Sequence, residues 1–499
     1  MLKTGRLKFI IVFILSYVIL TAQITTPKSG FCDDNPGIDD SDNFFQESDK
    51  SIMNSDMEEG EIEDNFFSDD SENFDTQTQE SIDDVKIKKD SSSKSWRVSG
   101  DIQTGAGYKF AHNRPDPGQT DHRGLSSLYG SIDLELEYKF SSSWRALVSA
   151  YAFYDSAYTI NGRDKYPPGF LDIYEKEIKL NKAYIEGTVT DNFDIKIGRQ
   201  LVVWGKSDNI RITDILNPLN SLNPGLTDLE DLRIPVFISR FDYYINSWAV
   251  SAFFIHEHQG NLLPVFGSDF FPFPFDIKEA DTPYTSIDDT GFAMSISRSR
   301  FLPGMDIAFY AARIYDNNPY IEWHNADGIP SPVFKYARIN VAGAAVNKAM
   351  GNFLFKTEAA FLDDLRLSNL NNKYSRLDIL GGLEYSGFKN TNISFEVADR
   401  WYPDLDRAAK NIKTEEHNIQ YALRTSRSFM NDILDLSILA SYFGIRADRG
   451  GFLRLKAEYD LTDSIHLLWG IIFYESGSIG ELKNIGDNDT VFASIKYSF

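Results

Sequence analysis

The chain of 499 residues has a single cysteine, Cys32, and this scarcity excludes two classes of protein. No disulfide can form within the chain, and zinc modules built from cysteine pairs are absent. Beyond the N-terminal region there is no run of about 18 consecutive apolar residues, the length that indicates a membrane-spanning helix. A disulfide scaffold, a zinc module and a bundle of transmembrane helices are therefore excluded.

Basic residues are scarce relative to acidic ones. The sequence has 50 Lys and Arg against 73 Asp and Glu, which gives a net charge of −23. Proteins that bind nucleic acid present a basic surface that neutralises phosphates. We therefore expect no nucleic-acid partner.

The N-terminal region is typical of a secretory signal peptide. Three basic residues precede an apolar run at residues 9–22, which is shorter than the about 20 residues that span a bilayer. Cleavage after Cys32 would give a signal peptide over residues 1–32, and cleavage after Ala22 (residues 1–22) is the alternative. A lipid anchor on Cys32 is disfavoured because the large Phe31 precedes it. We expect the chain to be exported.

Residues 33–94 differ in composition from the rest of the chain. Between residues 33 and 84 there are 20 Asp and Glu and one Lys, with many Ser and Asn. Such a segment cannot bury enough apolar surface to offset its conformational entropy. We predict a disordered acidic tail in the periplasm, which acts as a solvated tether, as a docking segment for a periplasmic partner, or as a segment that enters the pore.

From residue 95 onward the hydrophobicity alternates with a period of two, which is typical of β-strands. In residues 128–140 one face is apolar: Leu128, Ile132, Leu134, Leu136, Tyr138 and Phe140. The other face carries Ser131, Asp133, Glu135, Glu137 and Lys139. These runs are longer than the strands of soluble proteins, which usually have about 5–6 residues. Their length suits strands that cross a membrane at a tilt.

The connections alternate between short and long, which is the pattern of an outer-membrane barrel. The short turns lie at residues 141–143, 190–192, 245–247, 301–304, 349–352, 389–391, 429–432 and 462–464. They join sixteen strands in pairs, and a first strand (96–110) and a last strand (490–499) must close the barrel. We predict an all-β, transmembrane antiparallel β-barrel of about 18 strands over residues 95–499. Sixteen strands are the alternative, and both termini are expected in the periplasm.

The chain ends on a strand that is apolar at every second position. In lipid every backbone group must be paired, so this strand must close against the first one. Its pattern resembles the C-terminal signal by which the barrel assembly machinery recognises outer-membrane proteins. The predicted assembly signal is Ile495, Tyr497 and Phe499.

A distinctive stretch, IGRQLVVWGKSDNIRITDILNPLN, occupies residues 197–220. It begins as a strand, which Gly205 interrupts, and Asn217-Pro218 marks a turn. The stretch resembles the signature of a Gram-negative outer-membrane family described as a domain of unknown function, number 1302. The matching elements are Gly198-Arg199-Gln200, Trp204-Gly205, Asp214 and Asn217-Pro218. Asn220 departs from the Asp that the family often has there, and the acidic tail is not part of the pattern.

The resemblance implies a porin-like barrel that lies in outer-membrane lipid. Some members of the family are thought to work beside efflux-type transporters, so an efflux-type partner is implied as well. The acidic tail, which is not part of the family pattern, is our candidate for binding such a partner. The family implies no substrate.

The link at residues 205–234 is too long for a turn that only connects two strands. In porins a loop folded inward narrows the pore, and we predict that this link packs inside the lumen as a constriction. An external loop held by surface ion pairs is the alternative. The candidate constriction residues are Arg199, Lys206, Arg211, Asp214, Asn217 and Arg233.

These features predict a porin-like channel for small solutes in the bacterial outer membrane. Strand faces of mixed sign favour a mild cation preference rather than an anion-selective ladder. The alternative is partner-dependent transport of lipid or other hydrophobic molecules, for which the Phe-rich run at residues 270–275 would form an apolar gate.

A barrel enzyme is a third class of function. None of the seven histidines lies in a recognisable nucleophile motif. His256 and His258 would share one face of a strand, but two metal ligands without a third are poor evidence for a site. We therefore expect no catalytic residue, no metal and no cofactor.

Overall fold

The computed structural model describes residues 95–115, 119–279, 289–326, 329–478, 482–483 and 485–499. The predicted signal peptide and acidic tail lie outside these residues. None of the helices in the described part of the chain is long and apolar enough to cross a bilayer.

The described residues form 21 strands, numbered in chain order. Eighteen of them belong to one sheet. Its first nine strands are β1 (Ser95–Lys109), β2 (Gly124–Lys139), β3 (Trp144–Asp155), β4 (Lys176–Thr190), β5 (Phe193–Gln200), β6 (Val236–Ile245), β7 (Trp248–Ile255), β9 (Gly291–Leu302) and β10 (Met305–Tyr315).

The sheet continues with nine further strands: β13 (Arg338–Met350), β14 (Phe353–Arg366), β15 (Lys373–Phe388), β16 (Thr391–Trp401), β17 (His417–Phe429), β18 (Leu434–Phe443), β19 (Gly451–Thr462), β20 (Ile465–Glu475) and β21 (Thr490–Ser498). A small separate sheet contains β8 (Lys278–Glu279), β11 (Tyr320–Ala326) and β12 (Ile329–Lys335).

The large sheet closes on itself because its first and last strands are paired. Strand β1 pairs antiparallel with β2 on one side and with β21 on the other. The pairing extends to the last residue, since the N–H groups of Gly100 and Phe499 each donate to the other residue's carbonyl at 3.0 Å. The structure is therefore a closed antiparallel barrel, and the prediction of 18 strands is confirmed.

Side chains alternate between the two faces of the barrel as the sequence pattern predicts. On β2, Leu134 is 41% exposed on the outside, whereas Glu137 is 6% exposed and faces the lumen. On β1, Trp96, Val98 and Ile102 are likewise exposed on the outside. Closure of the sheet pairs the backbone groups of every strand, and the apolar outer surface suits contact with lipid.

The short turns lie at one end of the barrel and the longer links at the other. Several short turns need a positive φ, which Asn246 and Gly304 supply. The long links carry the helices of the described residues: α1 (Ala157–Asn161), α2 (Pro168–Tyr174), α3 (Arg407–Asn411), and two 3₁₀ turns at Arg163–Lys165 and Glu230–Leu232.

Part of the lumen is filled by an apolar core. Its members from the β5–β6 link are Val202, Trp204, Ile210, Ile212 and Leu216. They pack on small or apolar residues of the lumen wall, among them Ile238, Ala308, Ala345, Ala360, Leu380 and Ala398. The barrel is thus packed on the side formed by β6 to β17.

Candidate functional site

Residues 201–235, called the inserted segment here, connect β5 to β6 by a path through the lumen. The segment contacts β14, β16 and β19, which lie six to eight strand positions from β5 around the ring. A link that reaches so far from its own strands must cross the interior of the barrel.

Glu358 on β14 holds the first turn of the inserted segment. Its side chain is 1% exposed. One carboxylate oxygen accepts from the backbone N–H groups of Lys206 and Ser207, and the other accepts from the N–H and the hydroxyl of Thr213. Gly205 has a φ of +86°, and a Cβ at this position would lie 2.7 Å from Oε1 of Glu358. The Trp-Gly pair of the signature therefore needs glycine for a close approach.

Glu396 on β16 holds the next three residues. Its carboxylate accepts from the backbone N–H groups of Asp208, Asn209 and Ile210 at 2.9–3.0 Å. Beside it, the Lys356 ammonium pairs with the Asp208 carboxylate. Two buried carboxylates thus bind the amide groups of the chain between residues 206 and 213, where no helix or strand satisfies them.

The far end of the inserted segment is attached to β19 by charge. The Asp228 carboxylate pairs with Arg454 and lies 2.7 Å from Nζ of Lys456. Burial alone would raise the pKa of Asp228, but Arg454, Lys456 and Arg424 overcome that effect and hold it well below its usual range. Arg454 also donates to the carbonyl of Gly225 at 3.0 Å. Asp228 is therefore ionised and fixed at neutral pH.

Asn217 joins the two ends of the inserted segment. Its Oδ1 accepts from the N–H of Val202 at 2.7 Å, and its Nδ2 donates to the carbonyls of Gln200 and Ile234. The side chain is fully buried. Asn217 therefore closes the loop at its base.

The other candidate residues have distinct partners. Asp214 receives Arg233 at 2.8 Å and Arg211 at 3.2 Å. Arg211 also donates to the carbonyl of Asn217 at 2.8 Å. Arg199 is not part of this group, since it pairs with Glu257 and donates to the carbonyl of Pro235. Lys206 contributes its backbone N–H to Glu358.

A cavity of about 950 Å³ remains between the inserted segment and the arc of strands β19–β21 and β1–β4. Arg233 is the member of the candidate set that lines it. The wall of β2 to β4 contributes Tyr129, Asp133, Tyr151, Phe153 and Glu177. The inserted segment contributes Leu226 and Asp231, and the wall formed by β19 to β21 contributes Arg454, Lys456 and Lys496. The lining contains nine carboxylates and six Lys or Arg side chains, so its balance is acidic.

The sequence alone does not identify the partners of Glu358, Glu396 and Arg454. Each lies on a strand position that faces the lumen, as the period-two pattern allows, but its partner is 145 to 229 residues away in the chain. The signal that was available is local: a Glu on the lumen face of an otherwise apolar strand stretch, as at Glu358 before Ala360 and Leu362.

The chain is similar to solved structures of proteins from two bacteria. The chain is similar to OccAB1 of Acinetobacter baumannii, with 11% identity, a TM-score of 0.48 and coverage of 81% of this chain and 96% of that chain. It is similar to OccK9 (OpdG) of Pseudomonas aeruginosa, with 10% identity, a TM-score of 0.49 and coverage of 81% and 97%. No curated protein matches the chain.

A family model, Protein of unknown function (DUF1302), matches residues 95–499. The match extends from the first residue of β1 to the end of the chain and includes the inserted segment. The resemblance that the motif at residues 197–220 indicates is confirmed over the whole barrel. The chain belongs to the DUF1302 family.

Proposed function

We propose that the protein is an outer-membrane channel for small solutes, in which the inserted segment narrows the path. The observation that carries this proposal is the cavity of about 950 Å³ beside the segment, with its lining of charged and polar side chains. Closed barrels whose lumen is polar and only partly filled are typical of channels. The packed side of the lumen and the fixed position of residues 206–213 would confine solutes to this one side.

We propose further that both termini lie in the periplasm, because β1 and β21 start and end beside the short turns. Short periplasmic turns and longer external links are the rule for outer-membrane barrels. Ile495 and Tyr497, 42% and 47% exposed on the outer face, would then present the assembly signal to the barrel assembly machinery together with Phe499.

The acidic balance of the cavity lining favours cations over anions. Asp133 and Asp231 line the cavity, while Asp228 is neutralised by Arg454 and Lys456. Carboxylates that line a pore raise the local concentration of cations. We expect a modest preference rather than a strict one, because six basic side chains share the lining.

The test is single-channel conductance of the refolded chain from Asp33 onward in planar bilayers. We expect steady unitary currents and a reversal potential of the sign for cation preference in a KCl gradient. Deleting residues 213–228 should raise the conductance. Unchanged conductance would contradict the constriction, and a folded, heat-modifiable barrel without current would contradict the channel.

A second function, transport of lipid or other hydrophobic molecules with a partner, is favoured by one observation. Aromatic rings form a row at the end of the barrel that carries the long links: Phe266, Phe271, Phe273, Phe275 and Trp323. Neighbouring ring centroids are 5.6–6.1 Å apart, and Phe275 and Trp323 are 40% and 48% exposed. The proposed partner would bind through the acidic tail. Retention of a periplasmic transporter by the chain, abolished by removing residues 33–94, would favour this function.

A further inference from the structure

The link that follows β7 crosses the mouth of the barrel. Its residues 262–271, called the lid here, contact β1 and β20 through Asp269 and Phe270. Strand β7 is eight positions from β20 around the ring of eighteen, so the two are almost diametrically opposite. The lid residues Leu262, Ser268, Asp269 and Phe270 all line the cavity. The lid therefore covers the cavity at the end of the long links.

Asp269 attaches the lid by charge. Its carboxylate pairs with Lys109 at the end of β1 and lies 3.0 Å from Nε2 of His112 and 3.4 Å from Nε2 of His122. The side chain of Asp269 is 7% exposed. His122 in turn donates to the carbonyl of Gly267 at 2.8 Å. One buried carboxylate thus joins the lid to the β1–β2 link.

Phe270 attaches the lid by apolar packing. Its ring belongs to a buried cluster with Ile472 and Tyr474 of β20, and its centroid lies 5.4 Å from that of Tyr474. Leu226 of the inserted segment packs on the same cluster. Burial of this phenyl ring stabilises the position of the lid over the cavity.

The lid is also joined directly to the inserted segment. The N–H of Leu262 donates to the carbonyl of Leu219, and the N–H of Ser221 donates to the carbonyl of Leu262, both at 2.8 Å. The Tyr174 hydroxyl donates to the carbonyl of Leu222 and lies 3.2 Å from the Ser268 hydroxyl. A displacement of the lid would therefore be transmitted to the segment that narrows the lumen.

We propose that residues 262–271 form a gate that closes the cavity, latched by Asp269 and Phe270 and mechanically joined to the inserted segment. The proposal rests on the channel function above, because a gate matters only where solutes pass. The structure represents the closed state, in which Asp269 and Phe270 both make the contacts described above. When Asp269 and Phe270 lose these contacts, the lid moves away from the cavity. The inserted segment, which is hydrogen-bonded to the lid, then becomes less fixed.

The experiment compares Asp269→Asn with Asp276→Asn, which removes the same charge from the same link at an exposed position. Hydrogen exchange of the lid amides is measured by mass spectrometry on each full-length barrel, and conductance on the same preparations. We expect lid exchange in D269N to be about tenfold faster or more, since removing one partner of a buried charge pair is strongly destabilising. D276N should match the unsubstituted chain.

Exchanging the charges of Lys109 and Asp269 distinguishes loss of this ion pair from general unfolding of the link. Lys109→Glu and Asp269→Lys should each accelerate lid exchange, and the double variant should recover part of the protection, because the pair is restored with opposite polarity. Recovery would not follow if either substitution merely unfolded the link.

The two readouts distinguish the gate from the channel. Faster lid exchange with raised open probability in D269N supports both. Faster lid exchange in a barrel that carries no current in any variant supports the latch and overturns the channel. Equal lid exchange in D269N and D276N overturns the latch, whatever the current.

Discussion

At the scale of single residues, the interior is organised by buried carboxylates that bind backbone amides and cations. Glu358 and Glu396 each accept at least three hydrogen bonds from the inserted segment. Asp228 attaches the inserted segment to two basic residues of β19, and Asp269 attaches the lid to Lys109 of β1. Hydrogen bonds to a charged acceptor are stronger than neutral ones, so a few residues can fix a long irregular segment.

Glu396→Gln is expected to destabilise the barrel. The amide nitrogen of glutamine cannot accept a hydrogen bond, so at least one of the N–H groups of Asp208, Asn209 and Ile210 loses its partner. Each buried unsatisfied group costs about 1–3 kcal/mol. The measurement is urea unfolding in lipid vesicles followed by tryptophan fluorescence. Glu416→Gln, at an exposed position, is the control and should leave the midpoint unchanged.

Asp228→Asn is expected to remove stability in a pH-dependent way. The pKa of Asp228 is lowered from 3.8 by Arg454 and Lys456 against the effect of burial. A lowered pKa means that ionised Asp228 stabilises the fold above about pH 4, and that this contribution is lost as the pH falls further. At neutral pH the variant leaves Arg454 buried without its partner, which costs about 3–5 kcal/mol.

The check is the difference in unfolding free energy between the unsubstituted chain and D228N from pH 8 to pH 3. The difference should be constant at neutral pH and shrink below about pH 4. Asp231→Asn is the control in the same segment. Burial, Glu230 and Asp228 raise the pKa of Asp231, so its removal should leave stability equal or higher at pH 7. A difference that grows on acidification would contradict the pairing of Asp228.

The sequence predicts which strand positions face the lumen far better than it predicts contacts across it. The alternation in β2 identifies Leu134 as outward and Glu137 as inward, since that pattern is local. Asp214 pairs with Arg233, and Asn217 binds Val202, Gln200 and Ile234, so these contacts join residues that are close in the sequence. The pairing of Asp228 with Arg454 joins residues 226 positions apart, and without a second sequence nothing relates them.

At the scale of elements, two links shape the interior and one strand closes the sheet. The inserted segment and the lid both leave neighbouring strands and cross to the opposite wall. Their length is visible in the sequence, but their direction is not, because it depends on carboxylates carried by remote strands. The terminal strand is different, since its alternation is local to the last residues and the need to pair every strand edge in lipid identifies β1 as its partner.

Phe499→Ala is expected to impair folding. The Phe499 ring lies over Gly100, where an added Cβ would be 3.1 Å from Cζ of Phe499, and it stacks on Tyr497 with a centroid distance of 6.0 Å. Loss of the ring exposes the β1–β21 contact to lipid and removes the last residue of the predicted assembly signal. The heat-modifiable fraction on gels should fall several-fold. Ser498→Ala, which faces the lumen side, should fold normally, and equal yields would contradict the role of Phe499.

At the scale of the whole molecule, the fold is a closed barrel whose lumen is divided into a packed side and an open side. The number of strands follows from counting turns in the sequence, because each short turn is flanked by alternating strands. The division of the lumen does not follow, because small residues such as Ala345, Ala360 and Ala398 reveal their role only when the inserted segment is packed on them.

A chain that begins at residue 95 is expected to fold into the same barrel as a chain that begins at Asp33. All eighteen strands and every contact of the inserted segment and lid described above lie within residues 95–499. The two chains should show equal heat modifiability and equal urea midpoints. Failure of the shorter chain to fold would show that residues 33–94 take part in assembly rather than acting as a tether or docking segment.

The contact between β1 and β21 has a consequence for biogenesis. Asp101 and Ser498 are neighbours although 397 residues separate them, so the sheet cannot close until strand β21 has been synthesised. A prematurely terminated product keeps two free strand edges, which are prone to aggregation and accessible to proteases. Every earlier strand is paired with a sequence neighbour or near neighbour, so the defect is confined to the final step. Closure of the sheet thus depends on the last strand, and a chain that lacks it keeps unpaired edges on its first strand and on its last remaining strand.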